Sequence, residues 1–227
     1  MTDYAGEIAG TVGSAPADLV AFYARGALPD YPASRIRCLP FGQAQAYTRD
    51  MQGIAVAARL GLWILDDADD SNPYAYVTRG PCAGVVMHFS HDGQARLAHA
   101  SLADFVAALQ AAGAAGVDID DIAAAELRLP LDEELEVLAR EQGEGGEEAV
   151  FLICAYLGAS APLQAGTQAM LLRHEDFFVR EALAVHLARA SRARDLADVE
   201  LLAADPHPQV AAAGRKALGA LRRAWQK

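Results

Sequence analysis

Glu175-Asp-Phe-Phe-Val-Arg-Glu-Ala-Leu-Ala-Val-His-Leu187 aligns with Pro206-His-Pro-Gln-Val-Ala-Ala-Ala-Gly-Arg-Lys-Ala-Leu218 at a shift of 31 residues. Val179 falls on Val210, Ala182 on Ala213 and Leu187 on Leu218. Apolar residues at helical spacing, repeated at such a period, mark stacked helix pairs. No pair seals its own apolar face, so each must bury it against a neighbour. A third copy near 147–157 fits only in a shifted register.

Around this repeat, the spacing predicts helices over 131–141, 147–157, 162–173, 177–190, 195–204 and 207–224. Turn signals separate them: Gly143-Glu-Gly-Gly146, Gly158, the polar 173–176 stretch and Asp205-Pro-His-Pro208. Six helices of this length make three antiparallel pairs. Upstream, Ala111-Ala-Gly113-Ala-Ala-Gly116 reads as a hinge or loop, which places a domain boundary between residues 116 and 117.

Residues 1–116 mix helix and strand. Ala17–Tyr23 reads as a helix with Pro16 at its start and Gly26 past its end. Pro29, Pro32 and Pro40 make 28–40 irregular or edge strand, and 44–52 forms a short helix. Three aromatic or β-branched runs, 61–65, 74–78 and 85–89, read as an antiparallel meander. The turn chemistry is 66–73, Arg79-Gly-Pro81 and His91-Asp-Gly93. Ser101 is a helix N-cap with Asp104 placed for a capping box, ahead of Leu102, Phe105, Val106 and Leu109. The expected fold is an α+β domain over 1–116, with an antiparallel sheet and flanking helices, then an all-α solenoid over 117–227.

The 227 residues are 53% hydrophobic and 22% charged, with material for a sizeable core. Alanine supplies 50 of them, which favours helices packed through small side chains. Nineteen basic against thirty acidic residues give a net charge of −11. Such a chain is repelled by phosphate, so no nucleic-acid partner is expected; an acidic surface suits a basic protein. The acidity is densest over 117–148, with twelve acids and two bases. Cys38, Cys82 and Cys154 stand alone, which argues against a disulfide framework or a zinc ribbon. The opening MTDYAGEIAG has no basic, apolar leader, and the best apolar run, 149–161, is too short for a bilayer. A cytoplasmic protein without membrane contact is expected.

Asp66-Asp67-Ala-Asp69-Asp70-Ser-Asn72 is dense enough in carboxylates to hold calcium, but lacks the Gly and Glu that an EF-hand loop requires. His88-x-x-His91, with His99 and Asp92, matches no closed zinc set. There is no G-x-S-x-G, P-loop, G-x-G-x-x-G or H-E-x-x-H, and Cys82 between Gly80 and Gly84 has no evident base. The expectation is a non-catalytic protein with no cofactor and no metal. Asp132–Glu136 is ordinary acid in a first helical turn. The cluster 141–148 is less easily explained by capping. Trp63 reads as core, whereas Tyr74 and Tyr76 share one strand face beside the acidic turn. Together these observations nominate Asp66, Asp67, Asp69, Asp70, Tyr74, Tyr76, Glu144, Glu147 and Glu148 as contacts for a basic partner.

In order along the chain come a helix before Leu28-Pro29, the segment Ile36-Arg-Cys-Leu-Pro40, the acidic turn, Tyr74–Val77, Gly80-Pro81, Val85–Phe89, His91-Asp92-Gly93 and Ser101-Leu-Ala-Asp-Phe105. Over residues 15–112 this resembles the SUKH superfamily of the Smi/Knr type. Asp176-x-x-Val179-Arg180 resembles the signature of HEAT-type repeats; the second copy keeps Asp205 and Val210 but carries Ala211 in place of the arginine. The SUKH resemblance implies an α+β fold and a non-catalytic role, in bacteria often that of an immunity protein neutralising a cognate toxin. It leaves open a scaffold or regulatory adaptor. A metal-dependent enzyme using Asp66–Asp70 is the third reading.

Overall fold

A computed structural model describes residues 2–26, 36–66, 72–90, 95–122, 125–141, 146–190 and 193–225. The chain divides into two compact units, residues 1–127 and 128–227.

The N-terminal unit contains α1 (Tyr4–Val12), α2 (Ala17–Ala24), α3 (Phe41–Met51), α4 (Ala55–Leu60), β1 (Leu62–Ile64), β2 (Tyr74–Val77), β3 (Val86–His88), β4 (Arg96–His99) and α5 (Leu102–Ala115). A 3-10 turn, Ile119–Asp121, follows. The four strands pair antiparallel in the order β1-β2-β3-β4. Trp63 sits opposite Tyr76, and Tyr74 opposite His88. The sheet thus has one strand more than the three expected. Arg96-Leu-Ala-His99 holds no β-branched residue, so its propensity is poor. Its period of two is nevertheless present: Leu97 and His99 are buried while Arg96 is exposed.

Local chemistry explains the helix ends. Asp3 caps α1, its Oδ1 accepting from the Gly6 N–H at 3.0 Å. Ser101 caps α5 by accepting from the Asp104 N–H at 3.1 Å. Asp104 returns the contact by accepting the Ser101 hydroxyl at 2.8 Å, rather than the backbone N–H of a full capping box. The stretch 111–116, expected to be a loop, completes α5 instead. Alanine is the strongest helix former, and the helix stops only at Gly116, in the left-handed region at φ 68°. β1 starts from a similar device. Gly61 has φ 57°, and a Cβ there would lie 2.3 Å from the Thr78 hydroxyl that bonds its carbonyl.

An aromatic cluster anchors this unit. Trp63 is fully buried and donates its indole N–H to the Tyr23 hydroxyl at 3.0 Å. Phe41 stacks on it at 5.5 Å, and Tyr4 packs edge-on to Phe41. Burying such rings is strongly stabilising, and the buried indole N–H has its partner.

His99 makes the stability of this unit acid-sensitive. Burial, followed by the nearby Arg96 cation, lowers its pKa from 6.5 to about 4. Between those values the unfolded chain binds the proton and the native chain does not. Stability is therefore full above pH 6.5 and falls as the pH drops towards 4. We predict that His99→Gln flattens this part of the pH–stability curve, which carries up to about 3 kcal/mol in the parent. Urea unfolding at pH 7, 5.5 and 4.5 reads it out.

The C-terminal unit contains α6 (Asp132–Leu138), α7 (Gly146–Leu157), α8 (Ala165–Leu172), α9 (Phe177–Ala190), α10 (Leu196–Ala203) and α11 (Pro208–Trp225). A 3-10 turn, Ala193–Asp195, leads into α10. All six expected helices are present. Consecutive helices pack in pairs, α6 with α7, α8 with α9 and α10 with α11. α8 also touches α6 and α10, while α9 touches α7 and α11, which makes two rows of three. The repeat is visible in burial. Val179 and Val210 are both fully buried, and Ala182 and Ala213 nearly so. Where Leu183 fills one copy, Gly214 lets α11 approach the Leu202–Ala203 backbone.

Polar groups brace the turns. Arg180 donates to Asp205 at 2.8 and 3.3 Å and to the carbonyls of His174 and Glu175 at 2.7 and 2.8 Å. Asp176 and Asp205 each accept from the backbone N–H two residues on, those of Phe178 and His207. Arg189 reaches the Leu157 carbonyl at 3.1 Å, an acceptor the end of α7 leaves without a helical partner.

Candidate partner-binding groove

Three helices and a turn of the C-terminal unit border a groove of about 1010 Å³. The end of α6 and the residues after it contribute Ala139 and Glu141, and the start of α7 contributes Glu147 and Val150. α8 contributes Gly166, Ala169 and Met170, and the turn into α9 contributes Arg173 to Phe177. The groove is open at Gly166, where an added Cβ would meet no heavy atom within 4 Å.

Its charge is uneven. Glu141, Glu147, Glu175 and Asp176 line it, against one base, Arg173; His174 lines it as well. Arg173 donates to the Ala169 carbonyl at 3.1 Å, and His174 Nδ1 accepts from the Asp176 N–H at 3.1 Å. α11 exposes Arg215, Lys216, Arg222 and Arg223 on the same unit, so the acidity of the groove is local rather than uniform. Phe177, at the groove, stacks on His207 at 3.8 Å, which leaves Phe178 half-exposed beside it. Such an arrangement can hold a cationic side chain over an apolar floor.

The residues nominated from sequence divide into three groups. Glu147 is exposed and lines the groove; Glu148, half-buried on the same turn of α7, does not line it. Asp67, Asp69, Asp70 and Glu144 lie outside the described residues. Asp66, Tyr74 and Tyr76 are buried, so a partner docking on the folded surface does not meet them. Asp66 accepts from the Tyr74 N–H at 2.5 Å and helps fix the start of β2. Tyr74 donates its hydroxyl to Asp120 at 2.7 Å, and Arg96 donates to that hydroxyl at 3.2 Å. Tyr76 donates to Asp18 of α2 at 2.7 Å. Both tyrosines do share a strand face, but α2 and α5 cover it.

Glu175 and Asp176 were not nominated from sequence, and neither was Glu141, although it opens the acidic cluster 141–148. The start of α7 and the turn into α9 meet at the groove, a proximity that only the packing of α7 on α9 creates. His88 packs against Tyr74 at 4.8 Å, and among the described residues no three His, Cys, Asp or Glu side chains gather as metal ligands. Burial, with Asp66 close by, pushes the Cys38 thiol up to about 12, and burial pushes Cys154 equally far, so neither is a poised thiolate. No described helix is long and apolar enough to cross a membrane. Compared with known proteins, the chain matches no family model, no curated protein and no solved structure.

Proposed function

We propose that this chain is a non-catalytic binding protein of the bacterial cytoplasm, an immunity protein that neutralises a basic cognate toxin by covering it. The observation that carries this reading is the convergence of Glu141, Glu147, Glu175 and Asp176 on one open groove. Carboxylates around a concave, partly apolar surface steer and then seat a cationic protein. The SUKH resemblance of residues 15–112 supplies the toxin as partner class. The HEAT resemblance and the two rows of helices agree with an extended protein-binding surface. Neither a cofactor nor nucleic acid enters the reading.

A scaffold or regulatory adaptor is the second reading. It is favoured by apolar side chains exposed along the helices, Val185 on α9 and Leu201 on α10 at 58% and 60%. An adaptor engages several partners weakly; an immunity protein engages one tightly.

The groove makes a direct prediction. Glu147→Lys with Glu175→Lys reverses the local charge on exposed or half-exposed sites and leaves the fold intact. Association with the basic partner slows by about tenfold or more at low salt, and the difference shrinks as salt rises. Stopped-flow or surface-plasmon kinetics against the toxin measures it. Equal rates for parent and variant remove the groove from the interface.

A further inference from the structure

We propose that the outward face of α11 is a second interaction surface, and that its partner is the acidic groove of another copy of this chain. Copies then associate head to tail, α11 of one seated in the groove of the next. The proposal rests on the groove being a seat for cations, but not on a toxin being its occupant.

The observation that carries it is the charge of α11. Residues 206–227 hold five bases and no acid, whereas residues 1–205 hold fourteen bases and thirty acids. Arg215, Lys216, Arg222 and Arg223 are all exposed. Helical spacing sets them in two rows on one face, Arg215 with Arg222 and Lys216 with Arg223. The members of each row stand about 10.5 Å apart along the axis. Between the rows lie Ala212 and Gly219, small enough to let this face approach a concave surface. None of the four cations forms a hydrogen bond or ion pair with a described residue. By contrast, Arg140, Arg173, Arg180, Arg189 and Arg194 of the same unit all bond carboxylates or carbonyls. A terminal helix pair needs a polar outer face, and mixed charge would serve. One sign of charge, left unpaired, suits an anionic partner.

The groove supplies the complement. Glu141, Glu147, Glu175 and Asp176 line it against one base, Arg173, over a floor that includes Val150 and Met170. α11 cannot fill its own groove, because its buried Val210, Ala217 and Leu221 hold it on α9 and α10. The contact is therefore between copies and heterologous, leaving a free groove at one end and a free α11 at the other. Each copy carries a net charge of −11. At physiological salt their mutual repulsion is screened beyond about 8 Å, while charges in contact still attract. A nucleic acid fits less well, since its phosphates continue past α11 against the acidic remainder of the chain.

The test is sedimentation of the full chain at rising concentration, with no toxin present, so its outcome is separate from that of toxin binding. Two variants each remove one half of the contact. One carries Arg215→Gln, Lys216→Gln, Arg222→Gln and Arg223→Gln; the other carries Glu147→Lys and Glu175→Lys. All six side chains are exposed, so both variants keep the parent's circular dichroism. The parent is expected to form species that grow with concentration at physiological salt and dissociate at about 1 M, where screening reaches to about 3 Å. Each variant alone is expected to stay monomeric. Their equimolar mixture is expected to associate again and stop at the dimer, because the intact groove of one takes the intact α11 of the other. A parent that is monomeric throughout overturns the proposal. So does either variant associating as the parent does, or a mixture that remains monomeric.

Discussion

Gly214→Ala destabilises the C-terminal unit by about 2 kcal/mol, although alanine is the better helix former. A Cβ at position 214 would lie 2.4 Å from the Ala203 nitrogen and 2.5 Å from the Leu202 carbonyl carbon. Both are backbone atoms and cannot rotate away. Relief requires α11 to move off α10 along the closest approach between them. The strain, at the upper end of the roughly 1–3 kcal/mol typical of overpacking, outweighs the gain of about 1 kcal/mol from replacing a helical glycine. Gly219, five residues on in the same helix, is the internal control. A Cβ there meets only the Arg223 guanidinium at 3.4 Å, the mobile end of a long side chain. Gly219→Ala therefore stabilises, by up to about 1 kcal/mol. Calorimetry on the full chain is expected to show the transition of the C-terminal unit falling by roughly 8–16 °C for the first variant and rising slightly for the second. Equal shifts would mean that the helices do not meet at Gly214.

Arg180→Met is the second large effect. Arg180 and Asp205 are 15% and 9% exposed, so removing the guanidinium strands a carboxylate away from water. The carbonyls of His174 and Glu175 lose their donor as well. Breaking a buried pair from one side costs about 3–5 kcal/mol. Asp205→Asn in the same chain removes the stranded charge and recovers part of the loss. The pH dependence gives an independent reading. The hydrogen bond from Arg180 is the main cause holding Asp205 below the usual carboxylate range. The native state thus binds the proton later than the unfolded state. The stabilisation is complete above the unfolded carboxylate value and disappears as the pH falls through the native one. In Arg180→Met that acid-limb slope weakens, and chemical unfolding between neutral and acid pH measures it.

Much of the C-terminal unit was legible because its punctuation is local. Asp205-Pro-His-Pro208 and Gly158 stop helices whatever the rest of the chain does, and Val179 and Val210 declare the repeat. The N-terminal unit was harder to read. β4 carries its alternation in Leu97 and His99 but has a composition better suited to helix, and only pairing with β3 makes it a strand. The run 111–116 shows the reverse: its glycines suggested a break, yet alanines carried α5 through Gly113 to Gly116. The tyrosines mark another limit. Period two placed Tyr74 and Tyr76 on one face, but whether that face is open depends on α2 and α5, which lie far along the chain. The groove depends on the same kind of non-local fact. Glu147 could be nominated from its own cluster; its proximity to Glu175 and Asp176 follows only once α7 and α9 are seen to stack.

The central claim is that one basic protein is held at the acidic groove. Its most direct test immobilises the full chain and its Glu147→Lys, Glu175→Lys variant in parallel, passes native lysate over both and elutes in rising salt. The account predicts one stoichiometric basic partner on the parent column, resistant to moderate salt, lost from the variant and toxic when expressed without this chain. Several weak partners released together at moderate salt, or one partner held equally by both columns, would contradict it.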